Sequence, residues 1–167
     1  MRIVFSHGKE SGPWGTKISR LAEEATNEGL AAESIDYRGL AHPGARVDRL
    51  RAHLERLDEP VVLAGSSMGG YVSSVVASER PVAGLFLLAP ALFVGGDYEV
   101  RDHRPKAPAI TVVHGWEDEL IPWRHSVDFA RENGATLHLL PDGHRLNANL
   151  DDLAVLFQLF LHGLERP

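Results

Sequence analysis

The segment from Val61 to Val76 reads VVLAGSSMGGYVSSVV, and the rest of the chain is best understood around it. Its first four residues are apolar and mostly β-branched or leucine, which predicts a strand buried on both faces. Residues 65–69 match the pattern G-x-S-x-G, and residues 71–76 continue at helical spacing. Strand, tight turn and helix in this order are typical of a turn that exposes a reactive serine, here Ser67.

The residues around Ser67 suit such a turn. Gly65 and Gly69 lack a Cβ atom, so strand and helix can approach each other closely while the serine hydroxyl points outward. The helix begins directly after Ser67, and its free N–H groups and dipole favour developing negative charge there. The Met68 N–H would form half of an oxyanion hole. A glycine- and serine-rich turn without chemistry is the alternative, so the decision depends on finding partners for the serine.

Composition limits the possible classes of protein. The chain has 167 residues, of which 44% are hydrophobic, and this predicts a single globular domain over residues 1–167. A net charge of −6 without any basic block argues against nucleic-acid and acidic-membrane partners. The chain contains no cysteine, which excludes disulfides, thiol nucleophiles and thiolate metal sites. The histidines are scattered and none is spaced with carboxylates as metal ligands are, so we expect no metal site.

The sequence shows no pattern typical of a signal peptide or a transmembrane helix. The chain opens on a strand-like Arg2 to Phe5, which leaves no room for a signal peptide. The longest apolar region, Ala83 to Val94, is too short to span a bilayer and is broken by Pro90. We therefore expect a cytoplasmic protein.

Short apolar runs alternate with amphipathic stretches along the chain. The runs that predict strands are residues 3–5, 32–35, 61–64, 85–88, 110–113 and 137–140. Helical spacing of apolar residues follows at 18–25, 47–57, 71–76, 123–132 and 150–164. Buried strands that alternate with helices predict a three-layer α/β/α sandwich around a mostly parallel six-stranded sheet.

Sheets of this kind place their chemistry at the carboxyl ends of the strands. Ser67 follows the third predicted strand, Asp118 follows the fifth within HGWED, and His144 follows the sixth within PDGH. A nucleophile, a carboxylate and an imidazole thus fall at one edge of the sheet. A serine hydroxyl needs a base to take its proton, and histidine titrates near neutral pH.

These segments resemble the α/β-hydrolase superfamily, and among its members the small, lidless, bacterial serine hydrolases. The resemblance spans nearly the whole chain and is carried by four segments, Ser6–Gly8, Gly65–Gly70, His114–Pro122 and Gly143–Arg145. The third is similar to the family pattern H-G-x-x-D-x-x-x-P, which implies that Asp118 is the triad acid. The fourth implies that His144 is the triad base. The resemblance also implies that the Lys9 N–H is the second oxyanion donor.

The chain departs from the family in two ways. Six strands imply a reduced α/β-hydrolase fold, without the first two strands of the eight-stranded family sheet. The segment between Leu88 and Ala109, where many members insert a helical cap, is short and polar enough to predict a solvated loop. The expected fold therefore has no cap domain.

Some assignments keep alternatives. His114 is the main rival of His144, although its place beside Gly115 favours a role in orienting the turn. Glu117, Glu119 and Asp142 are carboxylates close to the expected site, and Asp142 fits a turn residue. The side chain of Lys9 is alternatively a charge that steers an acidic substrate. Trp116 either lines a substrate pocket or closes the core.

The sequence thus predicts a cofactor-free serine hydrolase that forms an acyl-enzyme on Ser67 and acts on small carboxylic esters. A thioesterase or amidase with the same three residues is the alternative within this chemistry. A non-catalytic interaction protein on the same scaffold is the alternative from another class. The natural substrate and the oligomeric state stay open at this point.

Overall fold

Strands and helices alternate along the described chain as the spacing of apolar residues predicts, except that the fourth strand is followed directly by the fifth. The structure, a computed structural model, describes residues 1–100 and 102–164. Its strands are β1 (Arg2–Ser6), β2 (Ala31–Ile35), β3 (Val61–Ser66), β4 (Gly84–Leu88), β5 (Ile110–Gly115) and β6 (Thr136–Leu140). Its helices are α1 (Thr16–Asn27), α2 (Pro43–Leu54), α3 (Met68–Glu79), α4 (Trp123–Asn133) and α5 (Leu150–His162). Among the described residues no helix combines the length and apolar character needed to cross a bilayer. The cytoplasmic location stays a prediction.

The six strands form one sheet in the order β2-β1-β3-β4-β5-β6. Every neighbouring pair is parallel, so the sheet is fully parallel where the sequence predicted it to be mostly so. From β1 the chain moves outward to β2 and then returns to β3 on the other side of β1. The loops that leave β1 and β3 therefore diverge, and such a reversal opens a crevice at the carboxyl ends of the strands.

Helices cover both faces of the sheet and give the predicted three layers. On one face α2, α3 and α4 bury residues such as Leu50, Val72 and Phe129. On the other face α1 and α5 bury residues such as Leu21 and Phe157. Both faces of the central strands are thus removed from water, which explains why β3 and β4 consist of continuously buried residues.

The segment between β4 and β5 forms no helix within its described residues, so no cap covers the sheet edge there. It is nevertheless anchored by a buried residue, His103, which is only 1% exposed. Its Nδ1 lies 3.0 Å from the Ser74 hydroxyl oxygen. The rings of Tyr71, Phe93 and Phe129 surround it, with ring centroids 5.7, 5.7 and 6.3 Å from its own. The expected solvated loop is therefore pinned to α3 and α4 at one point.

This histidine makes the stability of the fold depend on pH. Burial lowers the pKa of His103 from 6.5 to about 4. The unfolded chain therefore binds more protons than the folded chain between pH 4 and 6.5, and the free energy of unfolding should fall as the pH drops through that window. The effect is at most roughly 3 kcal/mol. Urea unfolding across this pH range should show a clearly flatter dependence for His103→Gln, which keeps a polar partner for Ser74. Equal slopes for both proteins would contradict the assignment.

Candidate active site

The turn between β3 and α3 holds Ser67 in an unusual backbone conformation. Its φ of 55° and ψ of −119° lie in a region of backbone conformation where residues other than glycine are strained. Hydrogen bonds on both sides of the residue enforce this geometry. The Ser67 N–H donates to the Leu88 carbonyl at 3.0 Å, and the Ser67 carbonyl accepts from Gly70, Tyr71 and Ala91. The surrounding elements thus fix the serine at the end of β3.

The glycines beside Ser67 are required by close backbone approach, as the sequence predicts. A Cβ atom on Gly65 would clash with the Gly69 carbonyl, and one on Gly69 would clash with the Ser6 carbonyl at the end of β1. A Cβ atom on Gly70 would lie 2.7 Å from the Pro90 Cβ. The start of α3 is therefore packed directly against the ends of β1 and β3.

Ser67, His144 and Asp118 are joined by hydrogen bonds at the carboxyl edge of the sheet. The Ser67 Oγ lies 2.9 Å from His144 Nε2, and His144 Nδ1 lies 2.7 Å from Asp118 Oδ2. Because Asp118 Oδ2 can only accept, His144 Nδ1 carries the proton and donates it there. His144 Nε2 is then free to accept the proton of the Ser67 hydroxyl. This is the arrangement in which an imidazole acts as a general base.

The Asp118 carboxylate has a full shell of donors. Oδ1 accepts from the Leu120 and Ile121 N–H groups at 2.9 and 2.8 Å, and Oδ2 accepts from His144 and from His114. Burial acts to raise the pKa of Asp118, but the hydrogen bonds from Ile121, His144 and Leu120 outweigh it and leave the pKa below its usual value. Asp118 therefore stays ionised near neutral pH and can stabilise a positive His144 ring.

His114 is a partner of the carboxylate and not of the serine. Its ring is fully buried, and Nε2 lies 2.9 Å from Asp118 Oδ2 and 3.1 Å from the Ile121 carbonyl oxygen. Both of these atoms accept, so Nε2 carries the proton, and Nδ1 accepts from the Ser126 hydroxyl at 2.7 Å. Burial lowers the pKa of His114, which keeps the ring neutral. The sequence analysis weighed His114 as a rival of His144 and favoured a role in orienting the turn, and it did not predict the bond to Asp118. A histidine at the end of a strand, four residues before a carboxylate in a turn, carries no periodic signal of such a bond.

Asp142 occupies the turn that the sequence predicts for it. Its Oδ1 accepts from the Gly143 N–H at 2.7 Å, and its Oδ2 accepts from the Ala148 N–H at 2.9 Å and from the Asn149 amide at 3.0 Å. A Cβ atom on Gly115 would clash with the Asp142 carbonyl, so the turns after β5 and β6 touch each other. This contact brings the loop of Asp118 and the loop of His144 together.

The loop after β1 lies beside the serine. A Cβ atom on Gly8 would lie 3.5 Å from the Ser67 Cβ, which is ordinary contact distance. Within the described residues neither the Lys9 N–H nor the Met68 N–H donates a hydrogen bond. The two backbone donors that follow β1 and β3 therefore have no partner among the described residues.

A cavity of about 550 Å³ opens at this edge of the sheet and includes Ser67 and His144 in its wall. Lys9, Lys17, Tyr98 and Leu120 also line it, and Leu120 is 72% exposed. The Lys17 ammonium donates to the Arg145 carbonyl at 2.7 Å, next to His144, and burial lowers the pKa of Lys17 to about 8. In the described part of the chain no group of three or more His, Asp or Glu side chains is placed to hold a metal ion.

Trp116 does not line this cavity, and its role in a substrate pocket stays a prediction. The Trp116 N–H donates to the Leu140 carbonyl at 2.9 Å, which extends the pairing of β5 with β6 by one residue. Its ring packs edge to face on Trp123, with ring centroids 5.0 Å apart. Tyr98, from the segment between β4 and β5, is the aromatic residue that lines the cavity instead.

Comparison with known proteins identifies the family. The family model described as "Alpha/beta hydrolase family" matches residues 3–164, nearly the whole chain. The chain belongs to the α/β hydrolase family. No curated protein matches the sequence at a significant level.

Solved structures agree with this assignment. A candidate hydrolase of the α/β superfamily from Xanthomonas campestris pv. campestris is 35% identical, with a TM-score of 0.85 over 98% of this α/β hydrolase and 99% of that chain. A lidless α/β serine hydrolase from Xanthomonas campestris is 23% identical, with a TM-score of 0.79 over 99% and 84% of the two chains. Mouse α/β hydrolase domain-containing protein 10 is 20% identical, with a TM-score of 0.84 over 96% and 89%. The last two likenesses concern the fold alone.

Proposed function

We propose that this α/β hydrolase cleaves small carboxylic esters, with Ser67 as nucleophile, His144 as base and Asp118 as the acid that orients His144. The observation that carries the proposal is the continuous chain of hydrogen bonds from the Ser67 hydroxyl through His144 to Asp118, at 2.9 and 2.7 Å. Membership of a hydrolase family supports the same reaction class.

The proposed reaction is acyl transfer in two halves. Ser67 Oγ attacks the ester carbonyl carbon while its proton passes to His144 Nε2. The carbonyl oxygen becomes an oxyanion, which the Lys9 and Met68 N–H groups stabilise. The intermediate then expels the alkoxide, which takes the proton from His144 and leaves the acyl group on Ser67. Water, deprotonated by His144, then attacks the acyl carbon. The bond from that carbon to Ser67 Oγ breaks, Oγ takes back the proton from His144, and the acid is released.

Esters are the more favourable substrates for this chemistry, because an alkoxide is a far better leaving group than an amide anion and depends less on protonation by His144. Thioesters and activated amides are the alternative substrates for the same residues. The open cavity suits a small acyl group. The segment between β4 and β5 has no helix in its described residues that would bury a long chain.

The proposal predicts a preference for short acyl chains, to be measured as kcat/KM on p-nitrophenyl acetate, butyrate, octanoate and dodecanoate. Each methylene buried on binding contributes about 0.8 kcal/mol, or roughly fourfold in kcat/KM. An open cavity buries few of them, so the gain should end near butyrate. A steep rise up to dodecanoate would reveal a deep apolar channel and contradict the proposed preference. No turnover of any of these esters would contradict the proposed activity itself.

A further inference from the structure

Arg46, on α2, carries a buried charge that forms no ion pair within the described part of the chain. Arg46 is only 2% exposed. Within the described residues no carboxylate lies within ion-pair distance of its guanidinium. Its guanidinium donates only to backbone carbonyls in this structure, from Nε to Leu40 at 2.7 Å and from Nη1 to His7 and Gly8 at 3.2 and 3.1 Å. A guanidinium stays protonated in a protein, so this burial is costly. The hydrogen bonds to these three carbonyls offset the cost of burying the charge.

One of these carbonyls belongs to the peptide that carries the Lys9 N–H. The Gly8 carbonyl accepts from Arg46 and also from His7 Nδ1 at 2.7 Å. His7 Nε2 accepts from the Tyr37 N–H at 3.0 Å, so Nδ1 carries the ring proton, and burial lowers the pKa of His7 and keeps the ring neutral. The Gly8 carbonyl is therefore held by two donors at once.

The orientation of that carbonyl sets the orientation of the N–H. The described residues contain no cis peptide, and in a planar trans peptide the C=O and the N–H point in opposite directions. Since the Gly8 carbonyl faces Arg46, the Lys9 N–H faces away from Arg46, and Lys9 itself lines the cavity that also contains Ser67. Glycine has a wide choice of backbone angles, so this peptide would rotate easily if the carbonyl were free.

We propose that Arg46 is a positioning residue for the oxyanion hole. Resting on the proposed acyl transfer, the inference is that Arg46 locks the Gly8–Lys9 peptide with its N–H toward the oxyanion. Its charge also polarises the peptide, because a cation bonded to the carbonyl strengthens the N–H of the same amide as a donor. A donor that is fixed before the substrate arrives has no reorganisation to undergo in the transition state.

The guanidinium of Arg46 also packs on a buried aromatic ring. Its guanidinium lies 5.3 Å from the centroid of the Tyr37 ring, which is fully buried. The Tyr37 hydroxyl in turn lies 2.9 Å from Ser6 Oγ, at the end of β1. A buried tyrosine and the strand end thus form a rigid base under the loop that carries Lys9.

Arg46→Met tests the inference, with Arg49→Met as the matched control. Arg49 lies one turn further along α2 and also donates to a backbone carbonyl, that of Asp36 at 2.9 Å. It is exposed, and its hydrogen bond goes to Asp36 and not to the peptide that carries the Lys9 N–H. For p-nitrophenyl acetate we expect Arg46→Met to lower kcat by roughly 10- to 100-fold with KM within about threefold, a loss somewhat smaller than that of a whole oxyanion donor. Affinity for a boronic acid, which forms a tetrahedral adduct on Ser67, should fall by a similar factor. Arg49→Met should change neither value.

Arg46→Lys separates positioning from stability. It keeps the charge but not the forked geometry, so its kcat should lie between those of the wild type and Arg46→Met. Wild-type kcat and boronic acid affinity in a folded Arg46→Met protein would overturn the inference. If Arg46→Met does not fold, a folded Arg46→Lys with wild-type kcat would overturn it equally, and failure of both variants to fold would assign Arg46 to stability alone. A wild-type protein without esterase activity would instead remove the proposed function, and this inference with it.

Discussion

Ser67→Ala is expected to lower kcat for ester hydrolysis by about 10⁶-fold, the typical loss when a triad nucleophile is removed. His144 and Asp118 would remain, but no atom would be left to form the acyl-enzyme. The fold should persist, because alanine keeps the Cβ atom and loses only the hydrogen bond to His144. Turnover of p-nitrophenyl acetate and the thermal midpoint measure both effects. Activity within tenfold of wild type would exclude Ser67 as the nucleophile.

Ser67→Gly is the matched variant for the backbone. Both substitutions remove the hydroxyl, but only glycine relieves the strain of a φ of 55° with a ψ of −119°. That strain costs of order 1–3 kcal/mol, so Ser67→Gly should be equally inactive and more stable than Ser67→Ala. Fluorophosphonate labelling adds a second readout, since only an activated serine reacts with this probe. Wild-type protein that stays unlabelled would favour the non-catalytic scaffold over the enzyme.

The sequence predicted the framework of the site because its signals are local or generic. The spacing of Gly65, Ser67 and Gly69 after a β-branched strand indicates a tight turn, and the carboxyl ends of parallel strands meet at one edge whatever the side chains are. The structure brings Ser67, Asp118 and His144 together at that edge, as expected. It also confirms the parallel sheet, which follows from the order of the apolar segments. The short, polar segment after β4 predicted that there is no cap, and its described residues form no helix.

Residues that act through backbone carbonyls escape such reasoning. Arg46 is one of three arginines on α2, and an arginine beside apolar residues at helical spacing ordinarily indicates an exposed face. It bonds to Gly8, 38 residues away, and no periodicity records a bond of that kind. The position of Trp116 after β5 suggests the site, but its ring packs on Trp123 and it does not line the cavity that contains Ser67. The local sequence pattern does not record such packing either.

Asp118→Asn should cost about 10⁴-fold in kcat, less than the loss of Ser67. The Leu120 and Ile121 N–H groups require an oxygen at the Oδ1 position, so the new amide nitrogen takes the place of Oδ2. That nitrogen donates to His144 Nδ1, and the ring proton moves to Nε2. His144 then cannot accept the proton of the Ser67 hydroxyl, although serine and oxyanion donors are unchanged.

Because His114 also bonds to Asp118, this substitution should disturb more than the tautomer of His144. In the native protein His114 Nε2 donates to the same Oδ2 atom, and the asparagine would face it with a donor. If His114 also changes tautomer, its bare Nε2 lies 3.1 Å from the Ile121 carbonyl oxygen and the two atoms repel. Asp118→Asn should therefore lower the free energy of unfolding by about 1–3 kcal/mol as well, the cost of a buried polar group without its partner.

Glu117→Gln, at an exposed neighbouring carboxylate, is the matched control and should keep both activity and stability. Wild-type stability in Asp118→Asn together with a kcat loss of less than tenfold would show that neither histidine depends on the Asp118 charge.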